Sequence, residues 1–339
     1  MIKGLLSVVV GLALGLMVTL FVGESPIHVA VILAQSSFGS LENFGMTLFY
    51  ATPLMFTGLS VAFAFHGGLF NIGAEGQLTF GALAAAAVGI LCPGLPWPMA
   101  PITAGLAAFL AGALWGGVPG YLKARRGAHE VITTIMLNFI AAAFSSWVTL
   151  YLLKNPDTQN PETLPVAPQY LLKHFTGFGD APLSSALFLA FAVALAVGFF
   201  LWRTVLGFQI RALGSNERAV EEAGISSGRL KILVMSISGG LAGLVGVTEV
   251  LGNAGKFKMG FSPDYGFIGI AVALLGRNRP LGVLAAALLF GALHKGTTDL
   301  DLETERVTRD LSLVLQALVI LVVAADAFWD RLFMKRRVA

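Results

Sequence analysis

About ten stretches of this sequence are apolar for close to 20 residues each, and no other feature restricts the fold as much. They cover residues 4–23, 46–65, 72–91, 99–120, 131–153, 183–202, 232–251, 265–276, 281–295 and 310–328. Such a run matches the hydrocarbon thickness of a bilayer, about 30 Å at 1.5 Å per helical residue. Inside hydrocarbon every backbone N–H and C=O must be satisfied within the protein, which leaves helices or a closed barrel. These runs are continuously apolar rather than alternating, so they predict helices. The short runs 265–276 and 281–295 are separated by Gly276-Arg277-Asn278-Arg279-Pro280, which suits tilted or partly re-entrant segments. Composition agrees: 12% of residues are charged, roughly half the share in a soluble domain. The expected fold is an all-α polytopic transmembrane helical bundle, one domain over residues 1–339.

Lysine and arginine orient the spans. With the N-terminus in the cytoplasm and the spans alternating, fifteen of the 22 basic residues fall in cytoplasmic segments. They include Lys123, Arg125 and Arg126, the five from Arg203 to Lys231, and Arg331 to Arg337. The positive-inside rule therefore puts both termini in the cytoplasm. The acidic segment Asp299–Asp310 and the proline-rich connection Lys154–Pro182 then lie outside. Residues 1–23, a lysine and about 20 apolar residues without a convincing cleavage site, read as an uncleaved first span. The single cysteine, Cys92, excludes an internal disulfide. It and five scattered histidines show no metal-ligand spacing. No basic run is interleaved with aromatics as single-strand nucleic-acid binding requires.

Between the second and third runs lies Gly67-Gly68-Leu69-Phe70-Asn71-Ile72-Gly73-Ala74-Glu75-Gly76-Gln77. At membrane depth its Asn71, Glu75 and Gln77 are costly unless they face protein or a water-filled path. Its four glycines suit a broken helix, because irregular backbone at depth is tolerated where it lines a cavity. One reading is a polar break beside a solute path. The other is a cytoplasmic turn with Glu75 in water.

Arg203–Lys231 is the longest cytoplasmic connection. Its centre predicts a short helix, capped by Ser215 or Asn216, with Glu217 near the positive end and Gly224 as a left-handed stop. Val220 and Ile225 give it apolar contacts. A short acidic helix with apolar knobs, held just below the bilayer, suits docking into a soluble partner. An ordinary interfacial connector is the alternative.

At this point the residues reach a family. The chain resembles the permease subunits of ATP-binding-cassette importers, in the branch that handles nucleosides and simple sugars. The blocks that carry the resemblance are Ala51-Thr52-Pro53-Leu54 with Gly58-Leu59-Ser60-Val61-Ala62; Leu69 to Gln77; Leu122-Lys123-Ala124 with Glu130 to Asn138; Arg211 to Ile225; Ser238 to Gly243; and Ile270 to Gly276. The form Phe70-Asn71-Ile72-Gly73-Ala74-Glu75-Gly76-Gln77 is most similar to nucleoside members. Ribose-type permeases usually carry an aspartate-serine word there. The resemblance implies a half-channel in a bacterial plasma membrane, two permeases on two ATPase subunits, fed by an external solute-binding protein or lipoprotein. It implies no cofactor, and a coupling role for the loop at about 203–231, with Arg211, Gly214, Asn216, Glu217, Glu221 and Gly224 as its residues. The chain has no Gly-x-x-x-x-Gly-Lys-Ser/Thr word, so ATP hydrolysis is expected in a separate subunit.

A nucleoside path needs an aromatic or apolar wall for the base and a few fixed polar groups for its edge and the ribose. The candidates are Phe65, Phe70, Asn71, Glu75 and Gln77; Asn138; and Glu249 with Asn253, four apart. Each has a structural alternative. Asn138 suits a helix–helix hydrogen bond, Glu249 a pairing with Lys256, and the two phenylalanines ordinary packing. The small-xxx-small words Gly112/Gly116/Gly120 and Gly239/Gly243 serve close helix packing, within the chain or between subunits. A secondary transporter or channel working without an ATPase is the rival class; it has no reason to present a docking helix. An enzyme would need a metal set, or a nucleophile with its base, grouped at one membrane face; Glu75 is the only strongly placed acid, and no histidine lies near it in sequence.

Overall fold

The computed structural model describes residues 2–304 and 311–324, and among these no strand forms beyond isolated bridges. Thirteen helices follow one another: α1 (Ile2–Val18), α2 (Pro26–Phe38), α3 (Leu41–His66), α4 (Ala74–Leu91), α5 (Met99–Arg126), α6 (Glu130–Trp147), α7 (Ala186–Arg203), α8 (Val205–Ser215), α9 (Glu217–Glu222), α10 (Ser227–Gly243), α11 (Tyr265–Leu275), α12 (Pro280–Glu303) and α13 (Leu311–Ala324). The segment 305–310, the end of the last apolar run and the C-terminal basic cluster lie outside the described residues. Seven of the described helical stretches are long and apolar enough to cross a membrane, and four apolar helices are shorter.

Each expected apolar run is helical over most of its described length. The helix that sequence reading does not anticipate is α2. It has 13 residues, too few to mark a span, and its last turn holds Gln35, Ser36 and Ser37. Pro26 at its first turn suits a helix start, where the missing N–H costs nothing. A second addition is α8, which extends the expected short helix of the 203–231 connection toward its N-terminus.

The chain divides into two compact units. Of the described residues, the first comprises 2–51, 177–181, 288–304 and 311–324. In it α1 lies close against α13: a Cβ at Gly11 would come within 2.7 Å of the Val319 Cα. Val29 and Ile32, three apart on α2, are buried with Leu293, Leu300, Leu311 and Leu315. The Ser37 hydroxyl donates to the Ala292 carbonyl at 2.7 Å, and the Thr47 hydroxyl donates to the Ser37 carbonyl at 2.9 Å.

The second unit comprises residues 52–176 and 182–287. Its connections gather at two opposite ends, in the grouping that the charges predict. At the basic end, the His66 Nε2–H donates to the Asn278 carbonyl (2.9 Å) and the His66 ring meets Trp202. There Lys123 pairs with Glu130 and Lys231 with Glu217. At the other end, residues 153–176 run along the termini of α4 and of the helix that continues α10. The Tyr170 hydroxyl donates to Cys92 O, Val166 N–H to Gly255 O, and Leu172 N–H to Leu251 O.

Glycine sets the closest packing in this unit. A Cβ at Gly112 would lie 2.9 Å from the Gly243 Cα, and one at Gly116 2.9 Å from the Gly239 Cα. The small-residue words thus join α5 to α10 within one chain, where near backbones gain dispersion that longer side chains would block. Beyond Gly243 the helix continues with a π-helical segment, Val247–Ala254. At the basic end, Ile210, Leu213 and Val220 of α8 and α9 are buried with Phe63, Leu69, Leu201 and Val234.

Candidate functional site

The chain does not turn directly from α3 into α4. Gly68 takes a left-handed conformation (φ 69°), and residues 69–73 run inward without regular structure. Helix geometry gives the depth. α11 has 11 residues, about 16 Å. Its C-terminal turn leads to Asn278, bonded to His66 at the basic end, while its first turn meets Glu75. Glu75 therefore lies about 15 Å in from that end, against roughly 39 Å for the whole of α3. The segment is a re-entrant break, and α4 and α11 begin facing each other near mid-depth.

Unpaired backbone at such depth is costly, and side chains meet that cost. Asn138 of α6 does so twice. Its Oδ1 accepts from Gly76 N–H at 2.8 Å and its Nδ2 donates to Ile72 O at 3.0 Å. Asn71 is fully buried. Its Oδ1 accepts from Gly73 N–H, and its carboxamide exchanges hydrogen bonds with Gln77 at 2.7 and 3.0 Å. Asn71 Nδ2 also donates to Ser238 Oγ at 2.8 Å, and the Ser238 hydroxyl donates to the Ser60 carbonyl at 2.7 Å. Because α4 starts only at Ala74, Asn71 and Glu75 do not share a helical face.

Glu75 reaches across to α11. Its Oε2 accepts from Gly266 N–H at 2.7 Å, and the Ser262 hydroxyl accepts from Tyr265 N–H at 3.0 Å in the same turn. A carboxylate in the first turn of its own helix and against the N-terminus of a second meets two positive dipole ends. The close fit requires Gly266, where a Cβ would fall 2.7 Å from the Glu75 Cα. Beside Glu75 is a cavity of about 170 Å³. Thr79, Asn138, Ser145 and Ser146 line one side, and the segment Phe257–Ser262 lines the other.

The expected path residues thus fall into four groups. Glu75 and Asn138 stand at the cavity, while Asn71 and Gln77 form the buried amide pair behind it. Phe65 and Phe70 meet edge to face at 5.1 Å, away from the cavity, whose aromatic groups are Phe257 and Phe261, 5.6 Å apart. Glu249 and Asn253 share a face of the π-helical segment, with Asn253 Nδ2 donating to Glu249 Oε2 at 3.2 Å. Glu249 does not pair with Lys256. That lysine instead reaches Glu162, 94 residues earlier, at 2.7 Å, and its ammonium holds the Glu162 carboxyl below the usual carboxylate range. Glu249 is 6% exposed, and its Oε1 has no hydrogen-bond partner among the described residues. Sequence reading misses Ser60, Thr79, Ser145, Ser146, Ser238, Phe257, Phe261 and Ser262 as groups at the break or the cavity. Ser60 and Ser238 stand in words that carried the family resemblance; the others have no distinguishing local signal.

At the basic end, Asn216 caps α9 by accepting from Ala219 N–H, and Gly224 stops it with φ 76°. Glu217 takes a 2.5 Å hydrogen bond from Lys231, which holds its carboxyl below the ordinary range. Glu221 accepts from the Ser227 hydroxyl, and Arg211 Nε donates to Leu201 O. Gly214 backs onto the turn that enters the break: a Cβ there would lie 2.8 Å from Gly68 N and 3.0 Å from the His66 carbonyl carbon.

The family of the permease component of branched-chain amino acid transport systems matches residues 43–324. The guanosine ABC transporter permease protein NupP of Bacillus subtilis (strain 168) is 37% identical over 332 residues, 95% of this chain and 92% of NupP. The nucleoside ABC transporter permease protein NupB of Lactococcus lactis subsp. cremoris (strain MG1363) is 37% identical over 300 residues, 86% of this chain and 82% of NupB. The glucose ABC transporter permease protein TsgB13 of Haloferax volcanii is 34% identical over 342 residues, 96% of this chain and 87% of TsgB13. Permease subunits of this kind are not enzymes; a separate subunit hydrolyses ATP. With the match running through the break, the cavity and the basic-end helices alike, the chain belongs to the branched-chain amino acid transport permease component family and is a multi-pass permease subunit of an ATP-binding-cassette transporter.

Proposed function

We propose that this chain forms half of the translocation path of a nucleoside importer in a bacterial plasma membrane, as one permease domain over residues 1–339. The observation that carries the path is the Glu75 cavity, where two helix N-termini, hydroxyl groups and an aromatic pair meet near mid-depth. Such a midplane site between interrupted helices is where transporters hold solute. The match to the guanosine and nucleoside permeases NupP and NupB supports the solute class. The match to the glucose permease TsgB13 favours a second reading, a simple sugar.

The partners on this reading are an ATPase subunit, a second permease subunit and an external solute-binding protein or lipoprotein. The loop at about 203–231 is the ATPase-coupling element, facing the cytoplasm, with Arg211, Gly214, Asn216, Glu217, Glu221 and Gly224 shaping it. Two features support this role. The exposed acidic α9 is anchored from below by buried Val220, and Gly214 abuts the entry to the break. A displacement of α8 by a closing ATPase would press on residues 66–68, an element both sites can bias.

The test is uptake by proteoliposomes holding the complete transporter and its binding protein. ATP-dependent accumulation of labelled nucleoside, and not of glucose, is expected. Glucose uptake alone would favour the second reading, and accumulation without ATP would overturn the assignment.

A further inference from the structure

The cavity has a hydrogen-bonding polarity of its own; the argument from it rests on the cavity being part of the solute path. We propose that the α4–α6 wall recognises the ribose diol of the solute rather than the edge of its base, through hydrogen-bond acceptors. A hydroxyl group has one proton and two lone pairs. The Thr79 hydroxyl donates to the Glu75 carbonyl at 2.8 Å. The Ser146 and Ser145 hydroxyls both donate to the Ala142 carbonyl, at 2.7 and 3.0 Å. Each proton is committed to the residue's own helix, so only acceptor capacity remains for a solute. Asn138 commits its Oδ1 and one of its two Nδ2 protons to backbone of the break, which leaves one N–H. Glu75 Oε2 accepts from Gly266 N–H, and the two carboxyl oxygens have further lone pairs.

Against the one remaining N–H of Asn138, Glu75, Thr79, Ser145 and Ser146 offer lone pairs, so acceptors predominate on this wall. The edge of a purine or pyrimidine sets ring-nitrogen and carbonyl acceptors beside its N–H donors, and a wall of acceptors would leave the former unpaired and desolvated. A vicinal diol brings two O–H donors and matches it. The other side of the cavity supplies Phe261, backed at 70° by the buried Phe257, as the apolar surface for the base. The solute then lies with its sugar toward α4 and α6 and its base toward residues 257–261.

The probes are adenosine and 2′,3′-dideoxyadenosine, in proteoliposomes containing the complete transporter and binding protein. The quantity read is the ratio of their uptake rates, compared between wild type and Thr79→Val or Ser146→Ala. Selection by the binding protein is the same in all of them, so a changed ratio reports the permease. Losing one acceptor should lower the ratio several-fold, toward the tenfold that about 1.4 kcal/mol produces, mainly by slowing adenosine. An unchanged ratio would overturn the proposal, whether or not both rates fall together. Thr79→Cys in a Cys92→Ser background tests the underlying path separately. Block by a thiol reagent with protection by adenosine, alongside an unchanged ratio, would refute the diol proposal and leave the path intact. Labelling at full yield without any effect on uptake would overturn both.

Discussion

Replacing Asn138 by alanine would test the account of the re-entrant break. The side chain satisfies Gly76 N–H and Ile72 O, at 2.8 and 3.0 Å, at a depth where water is scarce. A stranded buried donor or acceptor costs about 1–3 kcal/mol. Interhelical bonds measured inside a membrane protein average only about 0.6 kcal/mol, because the reference state finds other partners. Between these bounds, two stranded backbone groups should cost roughly 2–4 kcal/mol. At about 2 °C per kcal/mol for a chain of this size, Tm should fall by about 4–8 °C. The assay is thermal unfolding of the purified transporter in detergent, with ATP-driven uptake measured on the same preparation. Phe139→Ala, at a neighbour that is 67% exposed, is the control and should leave uptake intact. Asn138→Asp keeps an acceptor for Gly76 N–H but sets a carboxylate against the Ile72 carbonyl, so it should be no milder than alanine. A Tm for Asn138→Ala within about 1 °C of wild type would show that the break does not depend on this carboxamide.

At Glu75, glutamine keeps an acceptor for Gly266 N–H and alanine does not, so uptake should fall in the order wild type, Glu75→Gln, Glu75→Ala; full transport by the alanine variant would remove the residue from the mechanism. Lys231 holds the Glu217 carboxyl below its ordinary range, so the pair supports docking of α9 above the unfolded carboxylate pKa and loses that support as pH falls through the lowered folded value. Hydrogen exchange in residues 216–224, corrected for intrinsic rate, should therefore rise toward acid in wild type and show a weaker trend in Lys231→Met. An equal trend in both would discount the pair. Cys92 is exposed at the end opposite the basic cluster, so an impermeant thiol reagent should label it on intact cells and fail to label Ser215→Cys in a Cys92→Ala background. External labelling at position 215 would invert the topology.

The spans were legible because a bilayer imposes a length that apolar runs must meet. α2 was not, since 13 residues ending in polar ones fall below that length and are held by Leu293, Leu300 and Leu315 from far along the chain. Glycines and amides between Gly67 and Gln77 signalled a break, but not what satisfies it. Asn138 is 62 residues from Gly76, and Ser238 is 167 from Asn71. Proximity in sequence misled at Glu249, whose neighbour Lys256 finds Glu162 instead. The hydroxyls at the cavity follow the same pattern. Nothing local separates Thr79 or Ser146 from any other hydroxyl on an apolar helix; their place comes from where Glu75 and the 257–262 segment meet them.

The glycine seam between α5 and α10 bears on how such a molecule moves. Side chains that mesh across an interface can change rotamer and let two helices slip, but bare backbones in contact have no rotamers to change. A slide by one residue would drive Ala242 or Leu244 into the space now shaped for Gly243. The two helices therefore travel as one beam from the basic end almost to the π-helical segment, and the relative motion of an access cycle is displaced to boundaries with side chains. Those boundaries include the cavity face between α4 and α6 and the irregular stretch leading into α11. A stiff member beside a compliant one concentrates strain at the compliant one, and here that is the stretch that carries the candidate solute contacts.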